Sequence, residues 1–144
     1  MKRAIVFGLV LLVFGSMADY VSEGRGVSQS DSSIEQFWEK FRDAVIKGNK
    51  TAVGSLSKFP ISMPYGMASV RNRIQLVRRY RDVFNHDGSS ASECFTTAKP
   101  VSDPARPNEF TVGCKNTAGH EVIIYTFLRT PAGWKFAHLD NINE

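Results

Sequence analysis

The sequence predicts an α+β domain in which N-terminal helices pack on a C-terminal antiparallel sheet. Three observations carry that prediction. Ile34, Phe37, Trp38, Phe41, Ala44 and Val45 recur at helical spacing and make one apolar stripe. Strand-length runs follow near Glu93–Thr97, Glu109–Lys115, Glu121–Thr130 and Trp134–Asn141. Between the last two, Thr130-Pro131-Ala132-Gly133 has proline and glycine where a tight hairpin connection needs them.

Taken in order, the chain opens on an export signal. Lys2 and Arg3 form a positive start, Ala4 to Phe14 is an apolar run, and Ser16-Met17-Ala18 gives a small-x-small cleavage pattern. Residues 1–18 are therefore expected to be removed, which places the protein in a periplasm or outside the cell. The alternative is an uncleaved N-terminal anchor, although the run is shorter than the ~20 apolar residues of a membrane span. Cleavage takes away Lys2 and Arg3, so 18 basic residues become 16 against 14 acidic ones, a net charge of +2. That weak excess gives no case for nucleic acid as a partner. No later segment could span a membrane.

Residues 19–31 (DYVSEGRGVSQSD) are polar, rich in serine and glycine, and read as a flexible leader. A single domain is expected over 32–144. Ser32 and Glu35 have capping-box spacing at the start of the first helix, and Gly48 supplies its stop. Trp38 could stack a ligand, but its place in the apolar stripe makes it a core residue. Asn49 can cap a short second helix with Ala52, Val53 and Leu56 facing inward. Phe59-Pro60-Ile61 ends that helix and starts an extended stretch over residues 61–70, broken by Pro64 and Gly66, which proline confines to a sheet edge. A third helix over NRIQLVRRYRDVFNHD would turn Ile74, Val77, Tyr80 and Phe84 inward, leaving Arg71, Arg78 and Arg79 outward. Those arginines form either a solvated face or a surface for an acidic partner.

Cys94 and Cys114 are the only cysteines, an even count in a chain bound for an oxidising compartment. If SECFTTA and NEFTVGCK are paired antiparallel strands, the two sulfurs meet and close a loop worth roughly 3 kcal/mol. Two buried free thiols are the alternative. No Cys-x-x-Cys spacing exists, so a redox-active pair is not expected.

If Thr130 pairs with Trp134, one sheet face carries Val122, Ile124, Thr126, Leu128, Trp134, Phe136, His138 and Asp140. The other carries Ile123, Tyr125, Phe127, Arg129, Lys135, Ala137 and Leu139. Both are largely apolar, whereas a sheet with one solvated side normally alternates with polar residues. The second face is therefore expected to be covered, and a homodimer through the sheet would cover it.

The order of helix, short helix, edge strand, helix and strand meander resembles the nuclear transport factor 2-like, or SnoaL-like, superfamily of cystatin-like α+β cones, in an exported bacterial-type member. FWEKFRDAVIKGNKTAVGSL and EVIIYTFLRTPAGWKFAHLDNIN carry the resemblance, which covers about 110 residues from Ile34 onward. It implies a strongly curved, cone-shaped sheet with an apolar pocket between its concave face and the helices. Some members of the superfamily are isomerases, dehydratases or cyclases with a His or Asp in that pocket. Others are dimerisation modules, secretion-system components or binding proteins. No catalytic motif of a member matches this sequence residue by residue.

The candidate chemistry is therefore thin. His138 and Asp140 stand two apart on a strand and so share a face, where a carboxylate can orient an imidazole for general-base work. Thr126 would lie opposite His138. Tyr65, Trp134 and Phe136 would complete a pocket. Against catalysis, the pair lies near a fraying C-terminus, and His86 and His120 sit in turns. No nucleophile elbow, metal-ligand spacing or cofactor motif occurs. Two readings result. One is an exported, non-catalytic binding module (inhibitor, immunity-type or scaffold protein) acting through a protein partner. The other is a small-molecule-binding or isomerase-type cone built on His138 and Asp140.

Overall fold

The computed structural model describes residues 29–64, 66–85, 88–119 and 122–142. The expected export signal, and the expected leader as far as residue 28, lie outside them. The first helix, α1 (Gln29–Ile46), begins before the expected start, so Ser32 stands inside the helix and not at its cap. Its stripe faces inward as the spacing requires, with Ile34, Trp38, Phe41, Ala44 and Val45 all buried. Gly48 ends it at φ 63°, and its N–H donates to the Val45 carbonyl at 3.0 Å. Asn49 then caps α2 (Lys50–Ser55), its side chain accepting from the Ala52 N–H at 3.0 Å.

A strand, β1 (Ser57–Ser62), lies at one edge of the sheet, as its proline requires. The expected third helix is two short ones, α3 (Arg73–Arg78) and α4 (Tyr80–Phe84), interrupted at Arg79. Asn72 caps α3 by accepting from the Gln75 N–H at 3.0 Å. Leu76, Val83 and Phe84 face inward, not Ile74 and Val77.

The stretch around Glu93–Thr97 is not a strand. It forms the helical turn α5 (Ala91–Cys94), capped by Ser90, whose side chain accepts from the Glu93 N–H. The Cys94–Cys114 disulfide exists, with Cα atoms 5.8 Å apart, but it joins α5 to a strand and not strand to strand.

The remaining strands are β2 (Val101–Ser102), β3 (Glu109–Lys115), β4 (Val122–Thr130) and β5 (Gly133–Asn141). The sheet order is β1-β5-β4-β3-β2. Only β1 runs parallel to its neighbour, β5, so the sheet is mixed and not wholly antiparallel. The fold class is α+β, with the helices packed on one face of five strands.

The β4–β5 hairpin holds the main departure from expectation. Near the turn Thr130 pairs with Gly133 and Arg129 with Trp134, one residue away from the predicted register. Farther along, Thr126 pairs with His138 and Ile123 with Asn141, in the predicted register. Ala137 is the extra residue that reconciles the two halves, a β-bulge. A one-residue slip exchanges the two faces of a strand. Trp134 and Phe136 accordingly point into the core, while His138 and Asp140, beyond the bulge, are exposed on the opposite face.

Candidate functional site

The space where a cone would hold its ligand is occupied by rings. Phe41 of α1 meets Phe127 edge-on at 4.9 Å between centroids and Phe136 at 5.4 Å. Trp38 packs on Phe95 at 4.8 Å, and Phe110 stacks on Phe127 at 4.5 Å. These are favourable aromatic separations. Trp134 belongs to the same cluster, lying 5.1 Å from Phe110, and its indole N–H donates to the Ser33 hydroxyl at 3.2 Å. Trp134 and Phe136 therefore build the interior, as Trp38 does.

Of the five residues expected to line a pocket, the four that are described do not come together. Tyr65 lies outside the described residues, as do His86 and His120. Trp134 and Phe136 are on the helix-covered face. His138 and Asp140 are exposed on the outer one, so their predicted partnership with the two aromatic residues is corrected by the bulge. Their mutual placement on one face holds, as does Thr126 opposite His138. Asp140 accepts a hydrogen bond from the Asn141 backbone N–H at 3.0 Å. Around them Val122, Ile124 and Leu128 are half-buried, and Thr126 is 9% exposed. A general base in open water lacks the enclosed, positioned substrate that proton transfer requires. Among the described residues no group of three or more His, Cys, Asp or Glu side chains could hold a metal.

The arginines separate into two kinds. Arg79 is built into the fold, donating to Asp82 at 3.0 Å and to the Ala68 carbonyl at 2.6 Å. It is not available to a partner in the way the sequence suggests. Arg71 and Arg78 are exposed, along with Arg73 and Arg81, and none of the four makes an ion pair among the described residues. Beside them Ile74 is 65% exposed and Val77 44%. Sequence reasoning missed this pair by assigning it to the core. The signal was present, because Leu76, Tyr80, Val83 and Phe84 form an alternative stripe at i, i+4, i+7 and i+8.

The described residues also line surface clefts, among them one of about 290 Å³ past Phe37, Lys40, Leu56 and Trp134. One of about 380 Å³ lies between α1 and residues 96–100, with Trp38 at its base and Glu35, Glu39, Arg42 and Lys99 on its walls. Another of about 180 Å³ is bounded by Val45, Tyr80, Phe84 and Ser92. The Tyr80 hydroxyl is buried without a hydrogen-bond partner among the described residues, and burial pushes it up to about 12.

No protein-family model and no curated protein matches the chain. Solved structures do. A nuclear transport factor 2-like protein with a cystatin-like fold from Novosphingobium aromaticivorans is 17% identical over 78% of this chain and 80% of its own, with a TM-score of 0.44. A ketosteroid isomerase-like protein from Erwinia carotovora atroseptica is 14% identical over 79% and 95%, with a TM-score of 0.47. A domain of unknown function with a cystatin-like fold from Nostoc punctiforme is 12% identical over 81% and 78%, with a TM-score of 0.48. Neither a fold nor a residue role is taken from them.

Proposed function

We propose that this domain is a binding module that acts through a protein partner, with the outer face of β3, β4 and β5 as its contact surface. The observation that carries the reading is the placement of Val122, Ile124 and Leu128, half-buried on the face opposite the helices. A solvated sheet face is ordinarily polar, and apolar side chains gathered on one mark an interaction site. A second copy of the chain is the partner that fits, because a two-fold contact between identical faces needs only self-complementarity. The ring-filled interior supports the same reading, since a small molecule would have to displace core side chains. Export to a periplasm or beyond the cell is part of the proposal and stems from residues 1–18.

Sedimentation velocity on the chain from Asp19 onward tests it. A dimer at micromolar concentration that becomes monomeric in an Ile124→Lys, Leu128→Lys variant, with the helical circular dichroism intact, is the expected result. A wild-type monomer removes the sheet face from the proposal.

A further inference from the structure

The arginine-bearing helix is not used by the sheet-face reading, and it carries an inference of its own. Ile74, Val77 and Arg78 stand at i, i+3 and i+4 on α3, Arg81 follows on α4, and all four are exposed. Arg71 and Arg73 extend the same positive surface at the start of α3. Arg79, between the two helices, is tied to Asp82 and to the Ala68 carbonyl and so stands apart from this exposed set. That contact also satisfies the nearby carboxylate, so Asp82 does not neutralise the outer arginines.

We propose that this stripe, Ile74, Val77, Arg78 and Arg81 with Arg71 and Arg73, is an adhesion surface for an anionic lipid bilayer. Charge complementarity points to an anionic occupant, since four exposed arginines fall between residues 71 and 81 and none makes an ion pair among the described residues. Two exposed aliphatic side chains between the arginines then favour a surface that offers apolar depth beneath its charge, as the boundary of headgroups and acyl chains does. Size argues in the same direction. The six residues of α3 rise only about 9 Å along a cylinder about 10 Å wide, and α3 with Arg81 falls far short of the roughly 800 Å² per partner that a stable protein interface buries. Adhesion to a charged bilayer has no such minimum, because each arginine near the surface adds its own attraction. Guanidinium also suits the role through its bidentate match to phosphate oxygens.

The attachment is a weak, reversible one, strengthened if the protein presents two stripes through a dimer. It is independent of the sheet-face proposal, as none of the six residues lies in the sheet.

Co-sedimentation of the chain from Asp19 onward with phosphatidylcholine vesicles, with and without phosphatidylglycerol, is the test. Binding at least tenfold stronger to the phosphatidylglycerol vesicles, weakened by high salt, is expected. Arg78→Glu with Arg81→Glu should lower it by at least tenfold. Ile74→Ser with Val77→Ser should lower it at unchanged charge, which separates insertion from diffuse attraction. All four positions are exposed, so thermal melting should match wild type in both variants. Equal binding to the two vesicle types, or binding indifferent to both pairs of substitutions, overturns the proposal. No vesicle binding together with retention on immobilised poly-L-glutamate overturns it in favour of an acidic protein surface.

Discussion

Arg79 and Arg78 are adjacent in the chain and opposite in role. Arg79 holds Asp82 and the Ala68 carbonyl, whereas Arg78 has no partner among the described residues. Arg79→Ala is therefore expected to lower stability by about 1–3 kcal/mol, the usual range for hydrogen bonds involving a charged group. Arg78→Ala should change it by less than ~0.5 kcal/mol, as exposed substitutions do. Urea unfolding of the two variants makes the comparison directly. Tyr80→Phe offers a sharper case. It removes a buried hydroxyl that has no partner among the described residues and keeps the ring against Phe84, so stability should hold or rise. A loss would reveal a bridging water at that hydroxyl. Asn49 and Gly48 were legible in the sequence because caps and left-handed stops follow local rules. Ile74 was not, because two interleaved apolar stripes run along one helix and only tertiary packing selects between them.

At the scale of elements, the disulfide matters most for α5. Four residues cannot make a helix that persists alone, and the Cys94–Cys114 bond fastens this turn to β3. Phe95, the next residue, then reaches Trp38 and Tyr125, at 4.8 and 5.0 Å between centroids. Replacing both cysteines by alanine is expected to cost roughly 3 kcal/mol. Amide exchange should accelerate first at Ala91–Phe95, and uniform acceleration would show that the bond does not act locally. The pairing of the two cysteines could be read from their even number and from the export expected of residues 1–18. The helical turn was hidden by a β-prone run, Cys94-Phe95-Thr96-Thr97, although Ser90 and Glu93 stand at capping-box spacing.

For the molecule as a whole, the interior is a continuous set of aromatic contacts between α1 and the sheet. Phe41 is its centre, touching Phe37, Phe84, Phe95, Phe127 and Phe136. Phe41→Ala should cost about 3–5 kcal/mol. Two tyrosines give the fold a pH limit. Burial pushes Tyr80 up to about 12, and burial raises Tyr125 further, with Tyr80 adding to it. An unfolded tyrosine loses its proton near pH ~10, so above that pH the folded chain binds more protons than the unfolded one. Stability then falls as pH rises. The contribution is intact below about pH 10 and is lost on the way to about 12. Urea midpoints should be lower at about pH 11 than at about pH 9, and Tyr80→Phe should reduce the difference. The α+β class and the hairpin were legible because amphipathic periods survive averaging over many residues. The candidate site was not, because its geometry depends on a single inserted residue that no period reveals.

That residue has a consequence beyond this chain. With Ala137 removed, Phe136 would still face Phe127, and His138 would still face Thr126. Every inward side chain of β5 would then fall on a regular two-residue alternation. The strand can thus differ in length by one at this point between related proteins without changing which side chains form their cores. Comparisons of such sequences by hydrophobic pattern will slip by one position along half the hairpin unless a gap is opened opposite Ala137. Without that gap, the outward-facing His138 would be matched with an inward-facing neighbour.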